Sequence, residues 1–523
     1  MTLFPGVILA LAFALAYARF APSVQHQLWD SLAYCAAADG GKVGAVNMDH
    51  PLGHIVLNSM LRSSRMLGYS GGTLRFFTII NAAVGGLVIY LFYSMALRWS
   101  NGSIAKAVGL SLLLGGANGM WRFSGTGDIY MLVLLTSLLA WSVVAKWAGA
   151  ADTDTAPWWL WSGLLTGVAI ATYKVSGLVM IAGCLALWQP GARRKLQMVA
   201  YLAVSCTVSL VGYLGASWIA NDGLTSWLKH LGWATSQATD PIWGRFLSPR
   251  FFGEGAAAAA GVLIAKGWNL PAHAIRSTIM TGFSLLCAGA IVSGLRCGSE
   301  RRLLFVGLMA HCLLGAVLVQ WWMPWSEKIW LPLLVPLMIA FALGVSSWSP
   351  TLSVSGKTMK SVLDGALVLL GLSLVSFNLW FGAIPQSRNT PAFDQAIQTW
   401  LSNTKPCDMI ITAGDLIPHL KLCHGRPNTE SLMEVYAKPG VGVDRFAVLR
   451  RRMAETREAG NDVYVVLAST NYLWQPLMEA SAVSASTLSD FFAQYQWEPS
   501  FAYINDIDGK ETAVCRLVPG SPE

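Results

Sequence analysis

Two acids stand at the edges of long apolar runs, Asp30 in "QLWDSLAYC" and Asp128 in "WRFSGTGDIYM". An ionisable side chain at a membrane boundary is costly to keep, which makes each a candidate for chemistry. A positioned carboxylate can take a proton from a hydroxyl group. The plainer readings are an N-cap or a solvated loop acid for Asp30, with Trp29 and Tyr34 suited to an interfacial helix, and a helix N-cap for Asp128. "DHPLGH" (49–54) follows. Pro51 suits a first helical turn, which puts His50 and His54 one turn apart on one face. That spacing can bind zinc, yet no third ligand is specified; hydrogen bonding to substrate and simple packing of the loop are the other readings. The cations are Arg75 in "LRFFTIINAAVGG", Arg122 beside Asp128, and Lys174 in "GVAIATYKVSGLVM". Each can be a snorkelling anchor. Lys174, between two short apolar segments, fits helices that end inside a cavity. Glu327 and Lys328, in "QWWMPWSEKIWLPLLVP", stand at the edge of a late apolar run, where they can simply pair with each other. Acids that deprotonate a hydroxyl and cations that hold a phosphate suit group transfer from a lipid phosphate. A transporter can carry the same inventory.

These residues are positioned by membrane-spanning helices. Of 523 residues, 54% are hydrophobic and only 12% charged, and the mean hydropathy is +0.49. Soluble chains carry about 25% charged residues. Apolar stretches long enough for a bilayer core recur, and about eleven are read as spans. They lie near 3–18, 75–95, 104–120, 129–146, 158–173, 175–188, 198–219, 277–295, 303–321, 329–346 and 361–381. The first run also ends in "ALAYA", which can pass for a signal cleavage site, but it lacks a basic start and is read as a span. The 23 tryptophans fit an interfacial belt. The net charge of +8 then reflects loop topology and anionic head groups and points away from nucleic acid.

Basic residues orient the chain. Arg193, Arg194 and Lys195 form one cluster, Arg296, Arg301 and Arg302 another, and Arg98, Lys106, Lys146, Lys357 and Lys360 fall in loops of the same parity. With these in the cytoplasm, the loops at 19–74, 121–128, 220–276 and 322–328 lie outside, with the tail after 385. Asp30 and Asp128 then share the outer face. The expected fold class is an α-helical polytopic membrane module (1–384) followed by an extracytoplasmic α/β domain (385–523). In that domain "CDMIIT" and "DVYVVLA" read as buried strands, and "FAVLRRRMAETREAG" and "TLSDFFAQY" as amphipathic helices. Cys407 and Cys423 are read either as a disulfide, if the compartment is oxidising, or as two buried thiols.

The order of the motifs resembles that of the GT-C glycosyltransferases that use polyprenyl-phosphate sugars, in the protein O-mannosyltransferase and lipid A aminoarabinose transferase branch. "WDSLAYC" and "DHPLGH" look like that family's first outer loop, with its catalytic acid, nearby Tyr and His/Lys-Pro-Pro-Leu segment. Arg75 matches its Arg-led second span, "WRFSGTGDIYM" its Arg…Asp turn, and "GVAIATYKVSGLV" its hairpin ending in Thr-Lys-Gly. "WMPWSEKIWLPLLVP" is similar to its Lys-aromatic-leucine-proline segment. The likeness covers roughly 1–190 and, more loosely, 320–345. The family's Asp-Glu pair is Asp30-Ser31 here, and its second proline is Leu52.

The resemblance implies an integral protein of the cell's inner or plasma membrane that moves a sugar from a polyprenyl-phosphate donor to a protein, lipid or glycan acceptor, with inversion. Asp30 would be the base and Asp128 would orient the acceptor or hold an arginine. Lys174, Arg75, Arg122 and Lys328 would face the donor phosphate, and Tyr34, His50, His54 and Glu327 the substrate. No cofactor is required, though a divalent metal is compatible. The competing readings are a transporter or lipid flippase, and an outer-face glycan ligase or polymerase built on the 220–276 loop with Lys229, His230, Arg245, Arg250 and His273.

Overall fold

Every one of the eleven apolar runs is helical, as a backbone surrounded by lipid must be to satisfy its own polar groups. The structure, a computed structural model, describes residues 2–27, 29–39, 50–150, 156–188, 192–219, 249–266, 270–322, 326–347, 356–412, 419–431, 446–466, 490–504 and 511–519. Among these, seven helical stretches are long and apolar enough to cross a membrane, joined by shorter apolar helices. The chain divides into two compact units.

The first unit is helical. Its elements include α1 (Phe4–Arg19), and then, after a helix α2 (Trp29–Asp39) that begins in the second unit, α3 (Pro51–Met66), α4 (Thr73–Trp99), α5 (Ile104–Gly116), α6 (Asn118–Ser124), α7 (Tyr130–Ala148), α8 (Trp158–Thr172), α9 (Gly177–Ala186) and α10 (Ala192–Ile219). There follow α11 (Pro249–Leu263), α12 (Leu270–Arg296), α13 (Ser299–Trp322), α14 (Glu327–Trp330), α15 (Leu334–Ser346) and α16 (Gly356–Asn378). Small residues let the helices approach closely, as is usual in membranes. A Cβ at Gly86 of α4 would come within 2.7 Å of the Ala10 carbonyl oxygen of α1.

Two local departures from regular helix shape this unit. α8 has 15 residues and α9 has 10, with Lys174 in the 3-10 turn between them. At 1.5 Å per residue these reach roughly 22 and 15 Å, short of the hydrocarbon thickness. The second departure is a π-helical turn, Leu379–Ala383, directly after Asn378. Asn378 Nδ2 donates to the carbonyls of Gly116 (2.6 Å) and Leu263 (2.8 Å), and its Oδ1 accepts from Ala265 N–H at 2.8 Å. Asn118 Nδ2 donates to the Gly261 carbonyl at 2.7 Å. These two amides fasten the end of α11 to the bundle. The chain just beyond α11 is therefore buried, with Ile264 fully enclosed.

The second unit joins residues 23–36 to the chain from Arg388 onward. Its sheet runs β2 (Thr429–Ser431), β1 (Met409–Thr412), β3 (Val463–Val466), β5 (Glu511–Pro519), β4 (Tyr495–Ile504). β1 is parallel to both neighbours, and the β5 pairings are antiparallel. Side chains alternate across a strand, so a strand covered on both faces reads as a continuous apolar run. Ile411, Val463 and Val465 pack with Leu449 and Met453 of α18 (Ala447–Glu458), while Ile410, Tyr464 and Val466 pack with Phe393, Ile397 and Trp400 of α17 (Pro391–Asn403). Of "TLSDFFAQY", Asp490–Phe492 are helical and 487–489 lie outside the described residues. The β4–β5 hairpin was not foreseen, because Pro499 interrupts its strand; a register shift at Pro499/Phe501 accommodates the proline. Cys407 and Cys423 are exposed free thiols, so neither the disulfide nor the buried pair is found.

Candidate functional site

A polar turn is buried in the first unit where α6 passes into α7. Buried carbonyls need donors, and α4 supplies them. Asn81, fully enclosed, donates its Nδ2 to the carbonyls of Thr126 (2.7 Å) and Asp128, and the Thr78 hydroxyl donates to the Gly125 carbonyl at 3.3 Å. Asp128 is buried, and its Oδ1 accepts from the Ile129 N–H at 2.7 Å. Asp128 is not the cap of α7: Ile129 occupies the N-cap position with no side-chain capping bond, and the Asp128 carboxylate holds the N–H of that residue instead.

The first turn of α3 packs on this turn. Pro51 opens the helix, and Gly53 sits so close that a Cβ there would lie 3.0 Å from the Ile129 side chain. His50 and His54 are both buried, with ring centroids 5.0 Å apart, as the one-turn spacing requires. The His50 ring lies 5.8 Å from that of Tyr173, and Tyr173 lies 5.9 Å from Tyr130. Burial holds the His50 imidazole well below its ordinary pKa, and positive charge on His54, Lys328 and Lys174 pushes the same way. The lysine of the α8–α9 turn and the lysine of α14 therefore act on one imidazole, although 154 residues of sequence separate them (328 − 174). Held neutral, His50 offers one N–H donor and one acceptor and no charge.

Arg122 of α6 pairs with Glu327 of α14, Nη1 to Oε2, at 2.8 Å. Gly261 of α11 lies against the Glu327 carboxylate, where a Cβ would meet Oε1 at 2.5 Å. Among the described residues, Glu327 forms this longer-range pair with Arg122 where a pair with adjacent Lys328 was expected. Arg75 stands exposed in the first turn of α4, and among the described residues no contact joins it to this group. His50, His54, Asp128, Arg122, Lys174, Glu327 and Lys328 all belong to the first unit. Asp30 and Tyr34, half-buried and one turn apart on α2, belong to the second.

Among the described residues, no three His, Cys, Asp or Glu side chains converge as metal ligands; Asp49 lies outside them. Lys229, His230 and Arg245 of the long loop also lie outside, and His273 is exposed on α12. Three residues that line or brace the site were passed over in the sequence: Asn81, Tyr130 and Tyr173. Asn81 had a usable signal, an amide inside an apolar span, and each tyrosine neighbours a residue already singled out.

No family model matches the chain, and no curated protein matches it by sequence. Solved structures do match. ArnT from Cupriavidus metallidurans bound to undecaprenyl phosphate is similar over 99% of this chain and 98% of its own, at 13% identity and a TM-score of 0.54. Its apo state gives 14% identity over 99% of both chains with a TM-score of 0.40. The arabinofuranosyltransferase AftD from Mycobacteria gives 14% identity over 99% of this chain and 40% of its own, with a TM-score of 0.48. At such identities the likeness to the undecaprenyl-phosphate complex is one of fold, and it agrees with the spans and the C-terminal sheet: this integral membrane protein has the fold of the GT-C membrane glycosyltransferase ArnT.

Proposed function

We propose that the protein is a GT-C glycosyltransferase that moves a sugar from a polyprenyl-phosphate donor to an acceptor hydroxyl at the outer face of the membrane. The observation that carries this reading is that Lys174, in the turn between the short helices α8 and α9, and Lys328 of α14 both stand near enough to His50 to act on it by charge. A phosphate on a lipid tail is the ligand such a place suits. The ArnT structure of the same fold holds undecaprenyl phosphate.

The acceptor oxygen attacks the anomeric carbon from the face opposite the phosphate. The carbon–oxygen bond to the acceptor forms as the bond to the phosphate oxygen breaks, so configuration inverts. Asp30, by the likeness of "WDSLAYC" to the family's catalytic-acid segment, takes the acceptor proton. Lys174 and Lys328 stabilise the charge that gathers on the departing polyprenyl phosphate, an effect enlarged where water is excluded. Neutral His50 donates or accepts hydrogen bonds without competing for that charge, with His54 beside it on the same face of α3. Tyr34, on the Asp30 face of α2, contacts the acceptor. Glu327 keeps Arg122 in place at the edge of the group, and Asp128 fixes the turn against which α3 packs.

The test is incubation of the purified protein with labelled polyprenyl-phosphate pentoses and hexoses, with and without a chelator, and identification of the labelled product. Transfer to a hydroxyl acceptor with inverted anomeric configuration is expected. Movement of intact lipid across proteoliposomes with no transfer from any donor would overturn the enzyme reading.

A further inference from the structure

The second unit contains an unusual attachment. Gln25, five residues before Asp30, has each of its four polar groups engaged by the C-terminal domain. Its backbone N–H donates to Asn389 Oδ1 at 3.2 Å, and its carbonyl is hydrogen-bonded by His419. Its side-chain Oε1 accepts from the Thr390 N–H at 2.6 Å, and its Nε2 donates to Thr390 Oγ1 at 3.3 Å. The receiving residues are themselves fixed. Thr390 caps α17 by accepting from the Phe393 N–H at 3.1 Å, and Asn389 donates to Asp394 at 2.9 Å. The His419 ring lies 4.8 Å from Phe393. Gln25 lies in a 3-10 turn, Val24–His26, and the buried Gln27 leads on to α2.

An anchor of this kind is more than packing requires. Holding one short segment through a complete set of directed bonds fixes its position and its rotation, which apolar contact alone does not. We infer that Gln25 is a positioning residue: the C-terminal domain, through Asn389, Thr390 and His419, sets the start of α2 and thereby the placement of the Asp30 carboxylate during transfer. This rests on the reading of Asp30 as the base. It gives the soluble domain a part in the chemical step, distinct from binding the acceptor.

The experiment compares the full-length wild type with Gln25→Ala, Gln25→Glu and Thr390→Val. Steady-state transfer from a labelled polyprenyl-phosphate sugar is measured, together with amide exchange of residues 29–36 in the same preparations. Gln25→Ala should lower kcat by about 10- to 100-fold, the cost of a small misplacement of a reacting group, while KM for the lipid donor stays within about two-fold. Gln25→Glu keeps the acceptor for the Thr390 N–H and can accept from the Thr390 hydroxyl, so it should recover most of the rate. Exchange in 29–36 should rise in Gln25→Ala and fall back in Gln25→Glu. Wild-type kcat and unchanged exchange in Gln25→Ala would overturn the inference even if Asp30→Asn is inactive. A Gln25→Ala protein with lowered thermal stability but unchanged kcat would overturn it too. If the wild type transfers nothing, the glycosyltransferase reading fails, and the exchange data still decide whether Gln25 fixes α2.

Discussion

Asp30 and Asp128 can be told apart by what a single amide substitution removes. Asp30→Asn deletes a proton acceptor, and kcat should fall by about 10²–10⁴-fold with the fold intact. Asp128→Asn keeps an oxygen to accept the Ile129 N–H, so its effect on kcat should be far smaller; equal losses in the two variants would move the base to Asp128. Lys174→Ala should lower kcat/KM for the lipid donor by about 10–100-fold, with weaker retention of free polyprenyl phosphate as the accompanying sign. Unchanged donor affinity would remove the lysine from the phosphate. Spacing made the two histidines legible, since Pro51 fixes the first turn and one turn separates them. The cap expected at Asp128 was misplaced by one residue, because the helix starts after Ile129 and the carboxylate bonds that residue's N–H. The pairing of Glu327 with Arg122 was not legible, because the two lie 205 residues apart and adjacent Lys328 offered a nearer choice.

At the level of elements, hydrophobicity told where helices run, because lipid leaves the backbone no other way to be satisfied. It did not tell where they are pinned. The end of α11 depends on Asn378, whose amide serves two carbonyls and one N–H from elements more than a hundred residues apart. Asn378→Leu strands those groups in an apolar interior, and the thermal stability of the detergent-solubilised protein should fall by an amount on the order of 1–3 kcal/mol. An unchanged melting temperature would mean that water or another donor replaces the amide. In the C-terminal sheet, β1 and β3 were legible as apolar runs because helices cover both their faces. The outer hairpin β4–β5 was hidden by its proline and its exposed, mixed face.

Taken as a whole, the molecule should respond to acidity through its second unit. Burial lowers the His419 pKa to about 4, with His424 and His26 adding repulsion and the bond to Gln25 opposing it. The folded form thus disfavours the proton that the unfolded chain accepts near pH 6.5. Stability contributed at this site is complete above that pH, falls as pH drops from about 6.5 to 4, and levels off below, a loss of about 3 kcal/mol. Melting curves of the full chain across this range should show the decline, and His419→Gln should flatten it. The short pair α8 and α9 bears on the surroundings of the protein. Two helices that cannot reach across the oil require the bilayer to pinch in around them, or fluid and head groups to follow them down. The proposed transfer would then gauge acyl-chain length: rates in vesicles of short-tailed lipids should exceed those in long-tailed ones, as thick membranes swallow the lysine at the bend.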